Sequence, residues 1–224
     1  QDATAHSNLG ISLKEMGRLD EAEASYKKAI ALNPKLAGFH SNLGNTLQEL
    51  GRMDEALASY AQAIGLKPDF AEAYLNFGIA IKNVRFTSSN RNLYTPLTQL
   101  LIADNFTRPQ DVAPSILSLL KHDTQIKDLL LEKNSALSLD DATSIIENLD
   151  KLPLLHHLMR VCRLPDLQFE ELFVVIRNLL LKNLYKMEVS SELIYFLSTL
   201  SLHCFVNEYI YAESDEETHL IGEL

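Results

Sequence analysis

Apolar and small residues recur at helical spacing from the start of this chain. His6, Leu9, Gly10 and Leu13 share one face of a helix, and Ala22, Tyr26 and Ala29 share a face of a second. Gly17 fits the left-handed residue that ends the first helix. Asp20 with Glu23 reads as a variant capping box opening the second, and Pro34 stops it. The pattern then returns. His6-Ser7-Asn8-Leu9-Gly10 reappears 34 residues on as His40-Ser41-Asn42-Leu43-Gly44, and Met16 to Ala22 reappears as Leu50 to Ala56. Tyr26 and Tyr60, Ala29 and Ala63, and Pro34 and Pro68 keep the same shift. A helix pair cannot bury its apolar face alone, so a fixed period of this length predicts stacked repeats.

A third copy keeps its first helix, Ala71 to about Asn83, with Tyr74, Phe77 and Gly78 in register. After that it breaks. Asn90 stands where Ala22 and Ala56 stand, and Thr87-Ser88-Ser89 form a polar link before a helix restarts near Asn90 and runs through Tyr94 and Leu97 to about Ala103. Two and a half repeats leave an apolar end face, which whatever follows must cap. The expected organisation is a repeat domain over 1–87 (3–36, 37–70 and a partial third from 71), followed by a helical domain over 88–224 that packs on the last repeat.

No 34-residue period continues beyond Asn105, yet the pattern stays helical. Helix starts are expected at Pro109 or Asp111, at Ser138 with Asp141, at Asp166, at Ser190, and at Ser214 with Glu217. Phe169 to Tyr185 and Leu193 to Tyr211 are apolar on most faces and predict a central hairpin buried on both sides. Strand-like alternation is absent, so the fold class is all-α.

The residues His6, Leu9, Gly10, Leu13, Ala22, Tyr26 and Pro34 resemble the signature of the tetratricopeptide repeat family. His6 and His40 depart from it where tryptophan is common, and Tyr74 restores an aromatic. The resemblance implies an α-solenoid whose first helices line a concave, protein-binding face. Gly10, Gly44 and Gly78, with Ala22 and Ala56, are then small where paired helices approach, and Tyr26 and Tyr60 fill space beside the next repeat. Asp111 to Asp123 and Cys204 to Tyr211 resemble the helical region that joins such repeats to a methyltransferase domain in certain bacterial proteins.

On the concave face implied by the family, Asn8, Asn42 and Asn76 recur at one repeat position. This resembles the asparagine ladder of O-linked N-acetylglucosamine transferases, which implies a grip on peptide backbone; an amide supplies both donor and acceptor for it. The alternative is that the three amides cap or bridge neighbouring helices. Repeats that clamp a carboxylate need a lysine where this chain has Ser7, Ser41 and Leu75. Asn45 matches that clamp, but Ile11 and Ile79 do not, which argues against chaperone-tail binding. Lys14 and Lys82, with Gln48 between them in the series, are candidates to meet an acidic ligand, although Glu15 and Glu49 beside them favour a solvated face. Ser214 to Glu217 reads as an acidic tag or, better, as a capped helix start with Leu220 and Ile221 behind it.

Charge and composition narrow the function. A net charge of −10 over 224 residues argues against nucleic acid or an anionic membrane as the main partner. His203, Asn207 and Glu208 interrupt the most apolar stretch, which excludes a membrane span there. Cys162 and Cys204 are too few for a disulfide framework, and a small buried hydrophobe is the better account of each; a reducing cytoplasm fits. The adjacent pairs His156-His157 and His203-Cys204 point about 100° apart on a helix and cannot easily share a metal. Glycine is absent between Gly78 and Gly222, so no phosphate-cradling loop or methyltransferase turn is present, and no cofactor is expected.

These readings converge on a protein-interaction scaffold that catalyses nothing by itself, takes a peptide or partner helix, and leaves self-association open. The chain, which opens on Gln1, reads as a fragment. The rival is the substrate-positioning part of a larger transferase, with a methyltransferase-like domain after Leu224.

Overall fold

The computed structural model describes residues 2–103, 105–132, 139–183, 187 and 190–206. Twelve α-helices and no strand occur among them. The chain divides into two compact units: Gln1–Val84 with Arg91–Arg108, and Arg85–Asn90 with Pro109–Leu224.

The first unit begins with two helix pairs, α1 (Ala3–Glu15) with α2 (Leu19–Leu32) and α3 (Ala37–Glu49) with α4 (Met53–Leu66). Each first helix ends on a left-handed glycine, Gly17 at φ +73° and Gly51 at φ +75°. The next amide reaches back a full turn in both copies, Arg18 N to Leu13 O and Arg52 N to Leu47 O, both at 2.9 Å, which satisfies carbonyls the helix would otherwise leave open. The capping box expected at Asp20 and Glu23 does not form. Arg18 is the N-cap of α2 and its side chain makes no cap bond. Glu23 is buried and taken instead by Lys27 Nζ and Arg52 Nη1, each at 2.7 Å. A charge-assisted pair outcompetes a backbone amide for that carboxylate.

Within each pair, tyrosine of the second helix covers glycine of the first. A Cβ built on Gly10 would stand 2.8 Å from the Tyr26 ring, and one on Gly44 would stand 2.6 Å from the Tyr60 ring. Both rings are buried, with Ala22, Ala29, Ala56 and Ala63 beside them in the core.

The third first-helix, α5 (Ala71–Ile81), packs on α4 and α3. Its partner starts late. A short 3-10 turn, Arg91–Leu93, precedes α6 (Tyr94–Ile102), so Tyr94 opens a helix whereas Tyr26 and Tyr60 sit inside theirs. Gly78 is therefore not roofed by a tyrosine. A Cβ on it would meet Thr107 at 3.3 Å and Leu100 at 3.7 Å. Phe106 stacks on Tyr74 with centroids 5.3 Å apart, and α6 also contacts α4.

The second unit holds α7 (Pro109–Leu120), α8 (Thr124–Glu132), α9 (Leu139–Asp150), α10 (Pro153–Val161), α11 (Leu167–Asn183) and α12 (Ser191–Val206). The Asp166 carboxylate accepts from Gln168 N, the Ser190 hydroxyl accepts from Leu193 N, and the Asp123 carboxylate accepts from Gln125 N, opening α11, α12 and α8. Ser138, Ser214 to Glu217 and the stretch from Asn207 to Tyr211 lie outside the described residues. Residues Arg85–Asn90 are tied here by bonds from Phe86 N to Ser118 Oγ and between His122 Nε2 and Phe86 O.

The central hairpin expected from α11 and α12 is not what forms. α12 packs most extensively on α10 and then on α9, while α11 lies against α9 and α8. Phe173 and His203 join α11 to α12 edge-on. One side of α12 stays open, with Ile194 58% and Leu202 41% exposed. A sequence apolar on most faces does not say which face finds which neighbour.

Candidate functional site

The first helices α1, α3 and α5 lie side by side as one layer. Residues 34 apart occupy corresponding turns of it, which puts Asn8, Asn42 and Asn76 in a row. Asn8 is exposed, and Asn42 and Asn76 are half-buried. No side-chain hydrogen bond engages any of these three amides among the described residues, although Asn42 O accepts from the Thr46 hydroxyl at 3.0 Å.

Their neighbours are engaged. Tyr60 donates its hydroxyl to Asn45 Oδ1 at 2.7 Å and also lies 3.0 Å from Gln48 Oε1. Burial pushes the Tyr60 phenol well above its ordinary range, helped by the negative charges of Glu49 and Glu72, so it stays a donor. Burial likewise pushes Tyr26 up to about 12, with Glu15 and Glu49 adding to it. Those acids place each hydroxyl near the following repeat even though each ring rests on its own. Lys14 Nζ pairs with Glu49 at 2.8 Å, and Lys82 is an exposed residue at the end of α5.

Ser7 and Ser41, where a carboxylate clamp needs lysine, are buried, and the Ser41 hydroxyl has no partner among the described residues. Leu75 at the equivalent place is exposed, as are Ile11 and Ile79 on the same helix layer. The layer thus mixes amides with isolated apolar side chains. The Tyr60–Asn45–Gln48 cluster and the Glu23–Arg52 pair were not evident from the sequence, because neither partner is near the other along the chain.

In the second unit, a groove of about 360 Å³ is lined by Arg177, Leu180 and Leu181 of α11 and by Leu197, Leu200, Ser201 and Cys204 of α12. No group of three or more His, Cys, Asp or Glu side chains suited to a metal occurs among the described residues. Burial pushes the Cys162 thiol up to about 12, which keeps it unreactive. His156 and His203 are buried, the latter with Nδ1 3.3 Å from Met159 O; His157, adjacent to His156, faces partly outward. Within the described residues, no helix is long and apolar enough to cross a membrane.

Comparison with known proteins agrees with this geometry in part of the chain. A crystal structure of MamA protein is similar at 16% identity, over 95% of this chain and 97% of that one, with a TM-score of 0.35. A likeness at that score carries no weight for fold or function. No curated protein matches. The family model described as TPR repeat matches residues 12–51 and 47–83. Two turns ended by left-handed glycines, two tyrosines roofing glycines and this match coincide, and residues 12–83 carry tetratricopeptide repeats.

Proposed function

We propose that the repeats bind an extended peptide or a partner helix along the row Asn8, Asn42 and Asn76. The observation that carries this reading is that those three amides have no hydrogen-bond partner among the described residues, while Asn45, Gln48 and Lys14 around them do. Amides that bridged helices would be bonded; amides that wait for a ligand present a donor and an acceptor apiece to a peptide group. Lys14 and Lys82 border the row, and Asn45 sets its floor by holding Tyr60.

The test is a peptide-library screen followed by calorimetry on the selected peptide. Asn42→Ala and Asn76→Ala should each weaken binding by about 1 kcal/mol, roughly fivefold, with the melting temperature unchanged. Unchanged affinity in both variants would remove the row from the binding site.

A further inference from the structure

The groove between α11 and α12 has one polar end and one apolar end. It exists because α12 packs on α10 and α9 while α11 packs on α9 and α8, so the two helices enclose a space of about 360 Å³. That volume is near the lower limit for small-molecule sites. Leu180 and Leu200 are buried in its walls, at 4% and 6% exposed, and Leu181 and Leu197 are half-buried. The edge-on contact of Phe173 with His203, centroids 5.2 Å apart, marks one end. Arg177 lies one turn past Phe173 on α11, and Ser201 and Cys204 lie within a turn of His203 on α12, so all three gather there. Leu181 and Leu197 stand farthest from that contact on their own helices. From Cys204 to Leu197 α12 rises roughly 10 Å.

The geometry points to a binding site for a medium-chain alkyl carboxylate, its headgroup at Arg177 and its chain along the four leucines. Arg177 is the one charged side chain among the described residues that line the groove. A guanidinium takes a carboxylate through two parallel hydrogen bonds, and the Ser201 hydroxyl offers a further donor at the same end. The leucines give a second polar group no partner, so the rest of the ligand is hydrocarbon. A cationic headgroup would meet Arg177 with like charge, and a neutral alcohol would gain little from it. Nor does the groove suit a partner helix, whose diameter with side chains is itself about 10 Å. The inference is independent of the peptide reading above, which concerns the other unit.

Cys204 reports on the groove from within. It is half-buried, whereas Cys162 is buried with its thiol pushed up to about 12, so iodoacetamide should alkylate Cys204 alone. Octanoate added to the full chain should slow that reaction saturably, and calorimetry should show one equivalent bound. Octanol and octyltrimethylammonium should bind about tenfold more weakly or worse, the share of a charge-assisted hydrogen bond. Arg177→Gln should bring octanoate down to the level of octanol and leave octanol unchanged, while Leu181→Gln should weaken both. If Arg177→Gln fails to fold, the ranking of the three headgroups on the parent chain decides the matter. A Cys204 that does not react, or reacts as fast with octanoate as without it, would overturn the inference, and so would octanol that protects as well as octanoate. Sedimentation showing that the chain dimerises with Cys204 shielded would also overturn it, since the groove would then be a contact between copies.

Discussion

The ring of Tyr60 occupies the space that any side chain at Gly44 would need: a Cβ there stands 2.6 Å from Cε1 and 2.8 Å from Cδ1. The ring cannot swing aside cheaply, because it is buried and its hydroxyl is held by Asn45 and Gln48. Gly44→Ala should therefore destabilise the repeats by about 1–3 kcal/mol, as overpacking does. Gly65→Ala, where a Cβ meets nothing within 4 Å, should instead stabilise by up to about 1 kcal/mol through the higher helix propensity of alanine. Urea titrations of the two variants against the parent would read both signs, and equal effects would show that the ring relaxes freely.

Asn42 and Asn45 are three residues apart on α3 and should behave oppositely. Asn45→Ala removes an acceptor of the Tyr60 hydroxyl and should lower stability by about 1 kcal/mol, the net worth of an ordinary hydrogen bond. Asn42→Ala removes no side-chain bond and should leave stability as it was. Thermal melts of both variants decide the matter, and a loss from Asn42→Ala would mean that its amide already has a structural task.

Much of this was legible in the sequence, and the reason is local. Gly17 and Gly51 announce the left-handed turns because few other residues adopt that conformation, and the 34-residue repeat of Gly10 and Tyr26 as Gly44 and Tyr60 fixes which helices pair. What the sequence concealed depends on contacts between distant residues. Glu23 looked like a cap from its neighbours alone, whereas Arg52, 29 residues on, claims it. Likewise α11 and α12 each show an apolar surface, but only the packing of α10 and α9 decides which part of it is covered. The asparagine row was legible as a recurrence; that its amides have no partner among the described residues was not.

The break in the third copy leads to a prediction about truncation. α6 and the residues after it supply Leu100, Phe106 and Thr107, which cover Gly78 and Tyr74 of α5. Leu97 and Leu100 are themselves buried. A fragment ending at residue 87 loses all of these and should expose α5, bind a hydrophobic dye and melt broadly. A fragment ending at Arg108 keeps them and should melt cooperatively. Calorimetry on the two fragments checks this, and sharp melting of the shorter one would show that α5 needs no cover.

Acidification should weaken the second unit before it touches the first. Burial among α10, α11 and α12 lowers His203 from its ordinary 6.5 to about 4, partly offset by its bond to Met159 O, and burial lowers His156 as well. A histidine whose native pKa is depressed binds fewer protons folded than unfolded. Its stabilisation is thus whole above about pH 6.5 and declines as pH falls towards 4, by at most about 3 kcal/mol for His203. In the first unit the resolved carboxylate shifts, such as Glu23 lowered first by its bond to Lys27, act only below about pH 4.5. Between pH 6.5 and 5 the histidines therefore dominate. Hydrogen exchange followed across that interval should show α10 and α12 losing protection while α3 and α4 keep theirs. His203→Gln should flatten the dependence even if it lowers stability at pH 7, because a side chain that does not titrate cannot link folding to protons. Equal losses in both units, or an unchanged slope in His203→Gln, would place the acid sensitivity elsewhere.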